Sequence, residues 1–128
     1  MGYRSEVTML FYANNEEDLP LLKLWVDENL VHVLEEHWYQ DEYQPREFER
    51  GQSKGYALHF NDVKWYDSYP EVQAIEAAWD KFKDTFGNDE STALGAERAQ
   101  IGEDYSDVTY DETYHGMNLL NIVRVAEY

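Results

Sequence analysis

Few residues in this chain have the types and spacing that chemistry requires. His32 lies four positions from both Glu28 and Glu36, and His37 follows closely. On a helix such neighbours share a face, which would hold an imidazole between two carboxylates. Zinc takes three or four convergent ligands, and the helical pair of histidines four apart is absent, so a solvated helix face is the simpler reading. Asp104, Asp107 and Asp111 offer the oxygen ligands that Mg²⁺ or Ca²⁺ prefers, but without EF-hand spacing and its central glycine. Ser91 and Ser106 sit in no nucleophile elbow, and there is no Gly-rich phosphate cradle. The absence of cysteine excludes thiolate zinc, iron–sulfur clusters, disulfides and a Cys nucleophile. An acid/base pair can always be picked from 27 carboxylates, so picking one carries little information. The expectation is a non-enzyme with no catalytic residues, no metal and no cofactor.

The aromatics point elsewhere. Tyrosine stands beside acids in Tyr39–Tyr43, Tyr66–Tyr69, Asp104–Tyr105 and Tyr110–Tyr114. Tyrosine gives contact area at low entropic cost and is enriched at interfaces, while neighbouring acids select basic partners. The candidate partner-binding residues are therefore Asp41, Glu42, Tyr43, Asp89, Glu90, Glu103, Asp104, Tyr105, Asp107, Tyr110, Asp111, Glu112 and Tyr114. Trp25, Trp65, Trp79, Phe60 and Phe82 read instead as core.

Charge supports the same class of partner. The 128 residues carry 10 Lys and Arg against 27 Asp and Glu, a formal net charge of −17. Unaided binding to nucleic acid or an anionic membrane is disfavoured, because both need clustered cations. The charge is not a tail: residues 1–64 carry net −7 and residues 65–128 net −10. Between residues 84 and 123 nine acids, Glu97 among them, face one base, Arg98, predicting a strongly negative surface. With 43% hydrophobic and 16% aromatic residues the chain has enough apolar material for one folded domain over 1–128. No apolar run is long enough to span a membrane and no signal peptide is evident, which predicts a cytosolic protein.

The elements that must position these residues follow from periodicity. Ser5–Ala13 reads as a strand covered on both faces. Pro20 with Leu21, Leu22, Leu24, Trp25 and Leu30 predicts a helix, whose continuation toward Trp38 competes with a strand at Val31–Val33. Residues 40–55, with Pro45 and Gly51, read as a loop or a short irregular element. Tyr56–Tyr66 reads as a strand, with a turn or bulge at Asn61–Asp62 where the alternation slips. Ser68 and Glu71 have capping-box spacing ahead of Val72, Ile75, Trp79, Phe82 and Phe86 at helical intervals, with Gly87 and Asn88 as the stop. Ala96–Gly102 and Leu119–Tyr128 read as strands joined by an acidic connection from Glu103 to Gly116. The expected fold class is α+β: a mostly antiparallel sheet with two main helices on one face, with a ferredoxin-like split βαβ as one arrangement.

Three stretches carry a resemblance: Gly2–Val7, Asp62–Val72 and Ile101–Val108. They resemble small, acidic accessory proteins of tailed bacteriophages and prophages. The resemblance implies a phage accessory protein working in the bacterial cytoplasm, with an anti-defence role as one reading, and transfers no catalytic residues. The polar segment from Trp38 to Lys54 looks like an insertion relative to that pattern. Together these readings predict a non-enzymatic inhibitor that covers the basic, nucleic-acid-binding surface of a host protein, a CRISPR effector or another nucleic-acid-handling complex. Two alternatives stand beside it: inhibition through an aromatic patch or forced oligomerisation of the target, and a metal-dependent enzyme.

Overall fold

The computed structural model describes residues 5–38, 44–66, 68–87, 92–102 and 108–113. Its centre is β1 (Ser5–Ala13), in which every residue from Val7 to Ala13 except Thr8 is buried. A strand buried on both faces belongs in the middle of a sheet, and β1 is flanked by β3 (Ser53–Val63) and β4 (Leu94–Ile101). The outer strands are β2 (Arg46–Arg50) and β5 (Val108–Glu112), giving the order β2-β3-β1-β4-β5, antiparallel throughout. The first four strands and the helical segments between them follow the β-α-β-β-α-β succession of a split βαβ, with β5 added at one edge. Between Ser5 and Val7 the pairing with β3 moves from Val63 to Phe60, so β3 bulges at Asn61–Asp62, as the slipped alternation predicts.

The first helical run extends from Leu19 to His37 without a break, as α1 (Leu19–Trp25), a π-helical turn (Val26–Val31) and α2 (His32–His37). The competing strand at Val31–Val33 is not formed. A π turn displaces carbonyls from their usual i+4 partners. Here the Asn29 amide donates to the Trp25 carbonyl at 2.9 Å and accepts from Lys81 Nζ at 2.8 Å, tying the turn to α3 (Pro70–Phe86). Helix α3 buries Val72, Ile75, Ala78, Trp79, Phe82 and Phe86, the stripe its spacing predicts. Phe11 of β1 packs its ring within 5.2–5.8 Å of Trp25, Trp79 and Phe82, joining both helical layers to the sheet. Each such buried aromatic contributes on the order of 1.5–3 kcal/mol of transfer free energy.

Three local expectations are corrected. The segment from 46 to 55 forms a hairpin rather than a loop: β2 turns into β3 at Gly51, whose φ of 59° is the left-handed conformation glycine tolerates. Strand β5 lies inside the stretch expected to be an acidic connection. Ser68 does not cap α3. Pro70 at the first helical position holds Tyr69 extended, with φ −83° and ψ 127°, so Tyr69 is the cap residue and Ser68 lies one position too early. The expected strand Leu119–Tyr128 falls outside the described residues.

Candidate functional site

Alternation along β5 divides its candidate residues between two faces of the sheet. Asp111, opposite Arg98, faces the helices, where its carboxylate pairs with Lys83 Nζ at 2.9 Å. That pair is 40% and 45% exposed, so it contributes no more than about 1 kcal/mol. Tyr110 and Glu112 turn to the opposite face, beside Glu97 of β4. The Tyr110 hydroxyl lies 3.0 Å from Glu97 Oε1 and 2.8 Å from Glu112 Oε2, and Tyr12 Oη donates to Glu97 Oε2. Burial, then the hydrogen bonds and charges of Glu112 and Glu97, push the Tyr110 phenol well above its ordinary 10.0. Tyr110 is therefore a neutral donor held by its own sheet. Glu97 is fully buried, which corrects its expected place on the acidic surface. Leu10, Tyr12 and Ala99, with Phe48, Ala57 and Tyr110 packed against them, form a second apolar cluster around this carboxylate.

On the helix-facing side, Arg98 makes a two-pronged pair with Glu76, through Nη1 to Oε1 and Nη2 to Oε2 at 2.8 Å, and its guanidinium lies 5.6 Å from the Trp79 ring centroid. Trp65 Nε1 donates to Glu76 Oε2 at 2.9 Å. Burial would raise the Glu76 carboxyl, but the hydrogen bonds from Arg98 and Trp65 and the charge of Arg98 outweigh it and hold the group below its ordinary 4.5. The only base between residues 84 and 123 is thus spent on joining β4 to α3.

Of the candidate partner-binding residues, Tyr110, Asp111 and Glu112 are brought together on one edge strand. Asp41, Glu42, Tyr43, Asp89, Glu90, Glu103, Asp104, Tyr105, Asp107 and Tyr114 lie outside the described residues. His32 pairs with Glu36 at 3.0 Å with both side chains more than half exposed, the geometry of a solvated helix face. Among the described residues no three metal-ligating side chains converge, and no helix is long and apolar enough to cross a membrane.

The helix-facing side of the β2–β3 hairpin holds residues that the sequence did not single out. One cavity of about 280 Å³ lies between the π turn, α2 and β3, lined by Val26, Asp27, Val31, Leu34, Glu35 and Tyr56 with Gln44 and Pro45. A second, of about 340 Å³, continues along the hairpin past Glu47 and Glu49 and shares Tyr56 with the first. The signal was present in Arg46–Glu47–Phe48–Glu49–Arg50, whose alternation puts both glutamates on one face of a strand. Comparison with protein-family models, with curated proteins and with solved structures finds no match to this chain.

Proposed function

We propose that this chain is a non-enzymatic binding protein that covers the basic surface on which a bacterial protein would hold nucleic acid. The observation that carries this reading is the imbalance of exposed charge. Among the described residues eleven acids are exposed against four bases, Lys23, Arg46, Arg50 and Lys81. The acids occur on the helices, on the β2–β3 hairpin and on β5, so a basic partner meets negative potential from several directions. A compact domain of this length is about 36 Å across, and duplex DNA of that length carries about 20 phosphates. The net charge of −17 is of the same order. The phage resemblance directs this reading to anti-defence proteins, with the bacterial cytoplasm as compartment and a CRISPR effector as the partner class to try first.

The test is capture on the immobilised chain from bacterial lysate, followed by elution with salt and, separately, with duplex DNA or structured RNA. Nucleic-acid-binding proteins released by both are the expected result. Retained proteins that are not basic, or that resist both eluents, overturn the reading. A second reading is favoured by one observation: Leu21 and Leu24 of α1 are 39% and 54% exposed. Apolar contact there, rather than charge, would then hold the partner, and Leu21→Ser with Leu24→Ser would abolish capture while neutralising exposed acids would not.

A further inference from the structure

Two cavities share Tyr56 as a lining residue, and their walls are of mixed chemistry. The first is a groove with an aliphatic lining from Val26, Val31, Leu34 and Pro45, and two carboxylates, Asp27 and Glu35, at exposed positions of the helical run. Glu47 and Glu49 of β2 extend the acidic border past Tyr56. Among the described residues Lys54 is the one cation lining it, paired with Glu16 at 3.5 Å and Glu49 at 3.9 Å. No described cation stands within salt-bridge distance of Asp27, Glu35 or Glu47. Glu47 stands opposite Tyr56 in the β2–β3 register and Asp27 lines the same cavity as Tyr56; burial, then the charges of Glu47 and Asp27, raise the Tyr56 phenol above its ordinary 10.0. The π turn itself supplies Val26, Asp27 and Val31 to the wall, and such turns recur at functional sites.

We propose that this groove receives a lysine side chain of the basic partner, its aliphatic stem against Val26, Val31, Leu34 and Pro45 and its ammonium at the acidic border that Asp27 and Glu35 supply beside Tyr56. Lysine is a compact charge on a flexible apolar stem, whereas arginine presents a planar fork suited to one carboxylate held bidentate. Asp27 and Glu35 are eight residues apart on the helical run, about two turns, so they border the cavity at two places that a compact ammonium on a flexible stem can approach in turn. The inference rests on the proposed preference for a basic partner and deepens it, turning a diffuse potential into one anchored contact.

The probe is the peptide acetyl-Gly-Ala-Lys-Ala-Gly-amide, titrated into the full isotope-labelled chain and followed by amide NMR shifts. Its norleucine and arginine counterparts run in parallel. Shifts concentrated at Val26–Leu34 and Tyr56 are expected, weakening by about tenfold in Asp27→Asn with Glu35→Gln. They should change by less than about twofold in Asp80→Asn with Asp84→Asn, which removes equal charge from the exposed side of α3. Norleucine binding as well as lysine, arginine binding as tightly or more tightly, or an equal loss in both double variants overturns the proposal. Shifts mapping to β5 instead overturn the groove and leave the basic-partner reading standing. That reading fails separately, when lysate capture retains no salt-sensitive basic protein.

Discussion

Glu97 has no exposed surface; one of its oxygens accepts from the Tyr12 hydroxyl of β1 and the other shares the single Tyr110 hydroxyl proton of β5 with Glu112. Removing Glu97 takes this acceptor from the fully buried Tyr12 hydroxyl, which costs desolvation without return, while Tyr110 keeps Glu112. Glu97→Ala should therefore lower stability by roughly 3 kcal/mol, and Glu97→Gln, which keeps one acceptor oxygen, by about 1 kcal/mol; urea denaturation of both variants measures the difference. Glu76 gives a pH dependence of known sign. Its carboxyl is held below the ordinary 4.5, so its contribution is present in full above that value and is lost as the pH falls through the lowered one. In Glu76→Gln the acid limb of the stability profile should be shallower below about pH 4.5, as read from chemical denaturation between pH 3 and 7 at constant ionic strength. These two acids show where single residues escape sequence reading. Nothing in Ala96–Glu97–Arg98–Ala99 distinguishes the acid that is buried from one that faces water, because the hydroxyls that satisfy it stand 85 and 13 positions away.

Elements were legible where period and burial agreed. The stripe Val72, Ile75, Trp79, Phe82 and Phe86 belongs to α3, and the crowded apolar residues of Val7–Ala13 belong to a central strand. The two strands that were missed, β2 and β5, are both short edge strands rich in charge, and acidic residues weaken the strand signal while protecting exposed edges from pairing with other chains. The π turn was invisible for another reason, since its residues have ordinary helical composition and the Asn29 amide that donates to the Trp25 carbonyl at its start carries no sequence signal. It has a direct test. Deleting the exposed Glu28 removes the additional residue of the turn and should heal it to α-helix, keeping Leu34 in the core. Deleting Ala77 from the regular α3 rotates Trp79 and Phe82 by about 100° relative to Val72 and Ile75. The first variant should unfold within about 1 kcal/mol of the parent and the second should lose several; thermal and urea unfolding followed by circular dichroism decide this. At Gly55 even a methyl group is excluded, for its Cβ would meet the Phe11 carbonyl oxygen at 2.0 Å.

For the whole molecule, the chain carries −17, and three of its eight described bases are already paired with acids, Arg98 with Glu76, Lys83 with Asp111 and Lys54 with Glu16. Self-repulsion of that size opposes compaction and is relieved by screening. Raising NaCl from about 0.01 M to about 0.15 M, which shortens the Debye length from roughly 30 Å to 8 Å, should raise Tm by several degrees, read by scanning calorimetry; an unchanged or lower Tm would contradict the picture of unrelieved negative charge. The strand order has a temporal consequence as well. β1 is made before both of its neighbours, and Leu94, which begins β4, follows Ala13 by 81 positions. At about 5–20 residues per second of synthesis, the most apolar of the described strands waits several seconds beyond the ribosome for its second partner. Through that interval a chaperone has its clearest access to the chain, and Val7–Ala13 is the segment it should hold.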